Sequence, residues 1–260
     1  MKSLYFVSGL PRAGSNLLVN LLSQNPNIHG ESVSSLCDLV SSINHSWSSF
    51  DNNRVSTNDI EKFNTLKALL NNYHTTDKSI VFDYNKDWIK HIGLLEQITE
   101  SKIKVLCPVR NPAEILSSYE KLRKNNPTKY SPADSALGSK TSIAARAYHY
   151  AGPEGILGAT HSMIRDAVTM GYLDRLLFID YNRFCNSPKS QMKRIYEFFE
   201  LEKFDHDFTS INQQKSVNPK YQHFYQLKPK LERTTVNCVE FLGLDLYQQY
   251  NREIFWDAWI

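Results

Sequence analysis

The sequence is short of cysteine, of excess charge and of long apolar runs, and each shortage removes a class of function. Its four cysteines (Cys37, Cys107, Cys185 and Cys238) lie far apart in 260 residues and form no CxxC pair. That spacing supports neither a disulfide framework nor a metal site, so no metal is expected and a reducing, cytoplasmic setting is. No apolar stretch approaches the roughly 20 residues that a membrane-spanning helix needs, and Leu4–Val7 is too short for the core of a signal peptide. The net charge of +3 is too small for a nucleic-acid partner. It leaves room for a small polyanion gripped by a few local cations. With 41% hydrophobic and 22% charged residues, disorder is not the default. The length suits one large α/β domain spanning residues 1–260.

What is present is an alternation of strands and helices. Leu4–Val7 reads as a buried strand, Ser8–Ser15 as a glycine loop and Asn16–Gln24 as a helix stopped by Asn25-Pro26-Asn27. Strands follow at Ser79–Phe82, Ile103–Val109 and Arg175–Ile179, with helices at Trp88–Thr99, Pro112–Lys124 and Ser187–Glu200. The pattern predicts a P-loop-containing α/β fold, a parallel sheet flanked by helices. Parallel sheets bind ligands beyond the carboxyl ends of their strands. The loops Gly9–Ser15, Tyr84–Lys86, Arg110–Asn111 and Tyr181–Arg183 should therefore share one edge. Val33–Tyr73 reads as helical with a polar interruption near 46–57. Asn125–Tyr172 reads as a Pro/Ser-rich loop, then helix broken at Gly152-Pro153. Both are assigned to the acceptor side.

The loop Ser8-Gly9-Leu10-Pro11-Arg12-Ala13-Gly14-Ser15 keeps the glycine spacing of an ATP-binding loop but has Ser15 where that motif has lysine. Its cation is Arg12, inside the loop. Backbone N–H groups of Ala13, Gly14, Ser15 and Asn16 at a helix start suit a phosphate, Ser15 and Asn16 can add side-chain donors, and Arg12 can clamp oxygens bidentately. A nucleoside triphosphate with magnesium fits less well without the lysine.

Taken with its extension Asn16-Leu17-Leu18, this loop resembles the 5′-phosphosulfate loop of sulfotransferases, closest to tyrosylprotein sulfotransferases and related bacterial enzymes. Ala13, Ser15 and Asn16 depart mildly from that form. The resemblance implies a donor, 3′-phosphoadenosine-5′-phosphosulfate (PAPS), with 3′-phosphoadenosine-5′-phosphate (PAP) as product and no metal. Arg110, ending a strand, and Ser118 eight residues later match the pair that holds the donor's 3′-phosphate. Arg123 could add charge, though the relatives place an arginine where this chain has Leu122. Tyr181 matches the adenine-contacting region. Ser216, within Lys215–Lys220, matches the loop that closes on the donor.

For the chemistry, the resemblance makes Glu31 the general base, with His29 and His91 as rivals. Lys86, in Tyr84-Asn85-Lys86-Asp87, together with Arg12 stabilises the transferring group. The acceptor is a hydroxyl on a small molecule, carbohydrate, lipid or protein tyrosine. Two other readings stay open. One is an NTP-dependent kinase, in which Leu176–Asp180 is a strand ending in a magnesium-binding aspartate. The other is a nucleotide-binding module without turnover.

Overall fold

A computed structural model describes residues 2–32, 34–49, 59–127, 141–212, 227–252 and 254–260. Five strands, β1 (Ser3–Val7), β2 (Ile28–Glu31), β3 (Ile80–Tyr84), β4 (Val105–Val109) and β5 (Leu176–Asp180), form one sheet in the order β2-β3-β1-β4-β5. Every neighbouring pair is parallel. The carboxyl ends therefore lie along one edge, as the alternation predicted. Val7 registers with Tyr84, Glu31 with Asp83 and Val109 with Asp180.

The helices are α1 (Ser15–Leu22), α2 (Leu36–Ser49), α3 (Asp59–Asn72), α4 (Ile92–Thr99), α5 (Pro112–Asn125), α6 (Ile143–Ala151), α7 (Ile156–Thr169), α8 (Tyr181–Asn186), α9 (Pro188–Phe199), α10 (Cys238–Leu242) and α11 (Leu244–Tyr250). Successive residues of a strand point to opposite faces, and here both faces are buried, as a parallel sheet requires. Val7, Leu106, Leu177 and Ile179 pack with α1 and α9 through Leu18, Leu22, Ile195 and Phe199. Phe6, Val105, Cys107, Val109 and Phe178 face the other layer, where Leu66, Leu95, Leu116, Ile164 and Trp256 complete the core. No helix among the described residues is long and apolar enough to cross a membrane.

Three elements differ from the sequence-based reading. Strand β2 was not expected, because Ile28-His29-Gly30-Glu31 has a single β-branched residue and no alternation. It forms because β3 pairs with it along its whole length, and short strands are the usual choice at a sheet edge. The helix expected over Trp88–Thr99 is divided into a 3-10 turn, Trp88–His91, and α4. Tertiary partners hold this turn: Trp88 Nε1 donates to Asp83 Oδ1 (2.7 Å) and the Ile89 N–H to Ser8 Oγ (3.1 Å). The loop expected at Tyr181–Arg183 is instead the first turn of α8, capped by Asp180 Oδ1, which accepts from the Arg183 N–H (2.8 Å).

After α9 the chain folds back onto the end of α1, where Gln24 Nε2 donates to the carbonyls of Asp207 and Ser210. His206 is wedged there, with Nε2 3.0 Å from Tyr196 Oη. Burial pushes its imidazole down to about 4, opposed only partly by a backbone hydrogen bond at Leu21 and by the Asp205 charge. The folded state thus holds a neutral ring, while the unfolded chain takes up a proton below about pH 6.5. This contribution to stability is full above that value and is lost as pH falls toward 4. Melting temperatures measured between pH 7 and 4 should fall less steeply for His206→Gln than for the parent. Parallel slopes would show that His206 is not part of the acid sensitivity.

Candidate active site

The glycine loop leaves β1 pressed against β4. The Ser8 N–H donates to the Leu106 carbonyl (2.9 Å) and the Leu10 N–H to the Pro108 carbonyl (2.9 Å). A Cβ on Gly9 would come within 2.2 Å of the Pro108 carbonyl oxygen, so only glycine permits the approach. Arg12 and Gly14 both adopt left-handed backbone (φ 59° and 89°). In a tight loop this aims successive N–H groups toward a common concavity, an anion nest. No side chain caps α1, so its first-turn N–H groups add to the same positive pole. Asn16 is held inside α1, its Oδ1 accepting from Asn20 Nδ2 (2.9 Å).

The second cationic group is built on the neighbouring strand. Arg110 follows β4 directly and is buried. Asn111 caps α5 by accepting from the Ala113 N–H (2.9 Å), with Pro112 in the first helical position. Arg110 Nε donates to Glu114 Oε2 (2.8 Å), Nη1 to the Arg12 carbonyl (3.3 Å) and Nη2 to the Thr234 carbonyl (3.0 Å). Its guanidinium lies 4.4 Å from the centre of the Tyr181 ring, and the Tyr181 hydroxyl accepts from the Thr234 N–H (3.1 Å). Tyr181 also packs on Gly14, where a Cβ would sit 3.0 Å from the ring. From two turns along α5, Ser118 Oγ accepts from Arg12 Nε (3.3 Å). Arg12, Ser118, Arg110 and Tyr181 thus form one connected group.

Lys86 is tied to the loop through Ser8. The buried Ser8 Oγ donates to the Lys86 carbonyl (2.7 Å) and accepts from Ile89, while the Asn85 N–H donates to the Val7 carbonyl (3.2 Å). Lys86 Nζ lies 2.8 Å from Asp87 Oδ1, and Lys90 Nζ 3.3 Å from Asp87 Oδ2. Burial opposes the Asp87 charge, but the hydrogen bonds and charges of Lys86 and Lys90 outweigh it and hold that carboxyl below its ordinary value. The lysine is therefore held by a neighbouring anion.

Glu31 ends β2 and is buried. Helix α1 crosses the strand just before it: a Cβ on Gly30 would come within 2.2 Å of Ser23 Oγ and 2.5 Å of the Val19 carbonyl. Any side chain there would push β2, and Glu31 with it, off α1. Two strand spacings separate β2 from β1, about 10 Å, with β3 and the Lys86 turn between them. Of the rival histidines, His29 Nε2 is 3.6 Å from Glu31 Oε2. His91 Nε2 is 2.6 Å from Ser41 Oγ, and burial, aided by Lys90, lowers its pKa against the pull of Asp87.

Ser216 and the Lys215–Lys220 segment lie outside the described residues. Asp180, the aspartate of the kinase reading, is committed to capping α8, and burial raises its pKa over the opposing hydrogen bonds of Arg183 and Asn182. Several site residues escaped the sequence. Glu114 was within reach, since an acid four residues after Arg110 on a helix is a readable pairing. Ser8 lies in the loop the sequence singled out, but its bond to Lys86, like the roles of Gly30 and Thr234, comes from strand order and chain return.

A sequence profile described as "Sulfotransferase family" matches residues 5–206. The chain belongs to the sulfotransferase family. No curated protein matches the sequence. Among solved structures, this sulfotransferase is similar to the sulfotransferase domain of the Synechococcus PCC 7002 olefin synthase, with TM-score 0.52 and 15% identity over 98% of this chain and 96% of that one. The sulfotransferase domain from the curacin biosynthetic pathway gives TM-score 0.50 and 14% identity over 96% and 87%. Sulfotransferase STF9 from Mycobacterium avium gives 0.50 and 13% over 98% and 77%. These likenesses establish the fold. The sheet and flanking helices of this sulfotransferase are those of its family.

Proposed function

We propose that this sulfotransferase uses PAPS as donor and a hydroxyl as acceptor. One observation carries the reading: Arg12 Nε bonds Ser118 Oγ, and Arg110 Nη1 bonds the Arg12 carbonyl. Two cationic groups at the ends of adjacent strands are thereby joined within the span of one nucleotide. The chemistry of the donor set fits such a ligand. The nest at Arg12–Gly14, with the N–H groups of Ser15 and Asn16 at the uncapped start of α1, would hold the 5′-phosphosulfate. Arg110 and Ser118 would hold the 3′-phosphate, with Tyr181 beside the adenosine. Ala13 contributes only backbone, being buried and apolar. Three of the five Arg110 N–H groups already have protein acceptors. A 3′-phosphate would take up the remaining capacity of a guanidinium already fixed in place.

Bound there, PAPS supplies the sulfuryl group and departs as PAP. Glu31 takes the proton of the acceptor hydroxyl, a role its carboxylate can fill only while ionised. Lys86 and Arg12 offset the negative charge that grows at the bridging oxygen. This is catalysis by positioning and fixed charge.

Thermal shift with PAP tests the donor. A ligand at 100 times its dissociation constant adds about 2.7 kcal/mol of stability, which raises the melting temperature by several degrees in a protein of this size. AMP, lacking the 3′-phosphate, should raise it much less. No shift with millimolar PAP would rule the donor out. Stabilisation by magnesium-ATP alone would favour the kinase reading.

A further inference from the structure

One cluster of metal-ligating side chains stands beside the donor site. His29, Glu31 and His74 each offer a ligand atom within 4.8 Å of the others. We propose that these three residues bind a divalent ion of the zinc class, and that its binding withdraws Glu31 from catalysis. The binding claim stands on geometry alone; the inhibitory claim rests on Glu31 being the base.

The geometry comes from the edge of the sheet. His29 and Glu31 are two residues apart on β2 and so project to the same face. Glu31 registers with Asp83 on β3, and His74 arrives from the turn between α3 and β3. Tetrahedral zinc, with bonds of about 2.0–2.1 Å, sets its ligand atoms about 3.4 Å apart. His29 Nε2 and Glu31 Oε2 already stand 3.6 Å apart. The remaining separations need to close by at most about 1.4 Å, a matter of side-chain rotation.

The surroundings favour a cation. Asp83 is fully buried and Glu31 nearly so. Asp83 Oδ2 lies 2.8 Å from His74 Nε2, and Asp83 Oδ1 accepts from Trp88 Nε1. With Nε2 held by Asp83, Nδ1 is the ring nitrogen left for an ion, and a buried carboxylate on the opposite nitrogen is the support that ligating histidines usually have. Two buried carboxylates beside two imidazoles give a divalent ion a favourable setting. Two imidazoles and one carboxylate select zinc-like ions over magnesium and calcium, which prefer oxygen. His29, 21% exposed, gives the ion a way in. Such a set leaves a fourth position open, which an acceptor or water could fill.

The test uses the full chain stripped with chelator. Zn2+ is titrated calorimetrically, and Co2+ is followed by its visible absorption. One equivalent per chain should bind, Mg2+ should not compete at millimolar concentration, and His29→Gln and His74→Gln should each weaken Zn2+ binding by at least 10-fold. His29 is partly exposed, so its variant is the one expected to fold undisturbed, as checked by its melting temperature. Binding unchanged in folded His29→Gln, or no binding at 100-fold excess Zn2+, would overturn the site. Sulfuryl transfer measured alongside should fall as the site fills and return with chelator. If zinc binds through these residues while transfer continues at full rate, the site stands and Glu31 is not the base.

Discussion

Glu31→Gln should lower turnover by about 100- to 10,000-fold, the range over which a positioned general base acts, while PAP binds within about twofold of the parent. The substitution keeps the size and hydrogen-bonding reach of the side chain and removes only its ability to accept a proton. Glu31 lies across β3 from the glycine loop, about 10 Å from β1, so donor contacts should not depend on it. A loss confined to turnover is what separates a group used in the transition state from one used in binding. It also separates an enzyme from a nucleotide-binding module, which has no turnover to lose. Single-turnover rates with saturating donor, paired with calorimetric PAP affinities, give the split. A rate within about threefold of the parent would remove Glu31 from the base role, which would then pass to His29 or His91.

Arg110→Ala should weaken PAP by about 10- to 100-fold more than it weakens AMP. Hydrogen bonds to a charged group contribute about 1.5–3 kcal/mol, and each 1.4 kcal/mol is tenfold in affinity. The discrimination matters more than the size. The Arg110 guanidinium is pinned by Glu114, the Arg12 carbonyl, Thr234 and the Tyr181 ring, so its removal also loosens the site. General loosening would weaken both nucleotides alike, whereas loss of a 3′-phosphate contact weakens only the ligand that has one. Arg110→Lys keeps the charge without the planar fork and should fall between. Equal losses for AMP and PAP would mean that the 3′-phosphate sits elsewhere.

How far the sequence was legible follows from the range of each interaction. The strand–loop–helix at the start and the Arg110–Pro112 helix entry were readable because their signals lie within a few residues: glycines, a proline, an asparagine cap. The eight-residue step from Arg110 to Ser118 was readable through the family resemblance, and helix geometry is consistent with it. That Ser118 reaches back to Arg12 could only come from β1 and β4 being neighbours, which no local pattern encodes. Strand β2 stayed hidden because it borrows its structure from β3. The grouping of His29 and Glu31 with His74 was hidden too, since His74 comes from far along the chain. The break at His91 was missed because the contacts of Trp88 and Ile89 with Asp83 and Ser8 are tertiary, and periodicity does not register them.

The border position of β2 has one more consequence. The proposed donor contacts arise from β1 and β4, interior strands bonded on both sides, whereas Glu31 stands on a strand bonded through β3 alone among the described elements. Interior strands open only with the whole domain, while margins open locally. On the proposed assignment, the nucleotide half of the catalyst is therefore the stiff half and the deprotonating half the pliant one. A lineage built this way can retune what it sulfates at the margin without reworking how it holds its nucleotide.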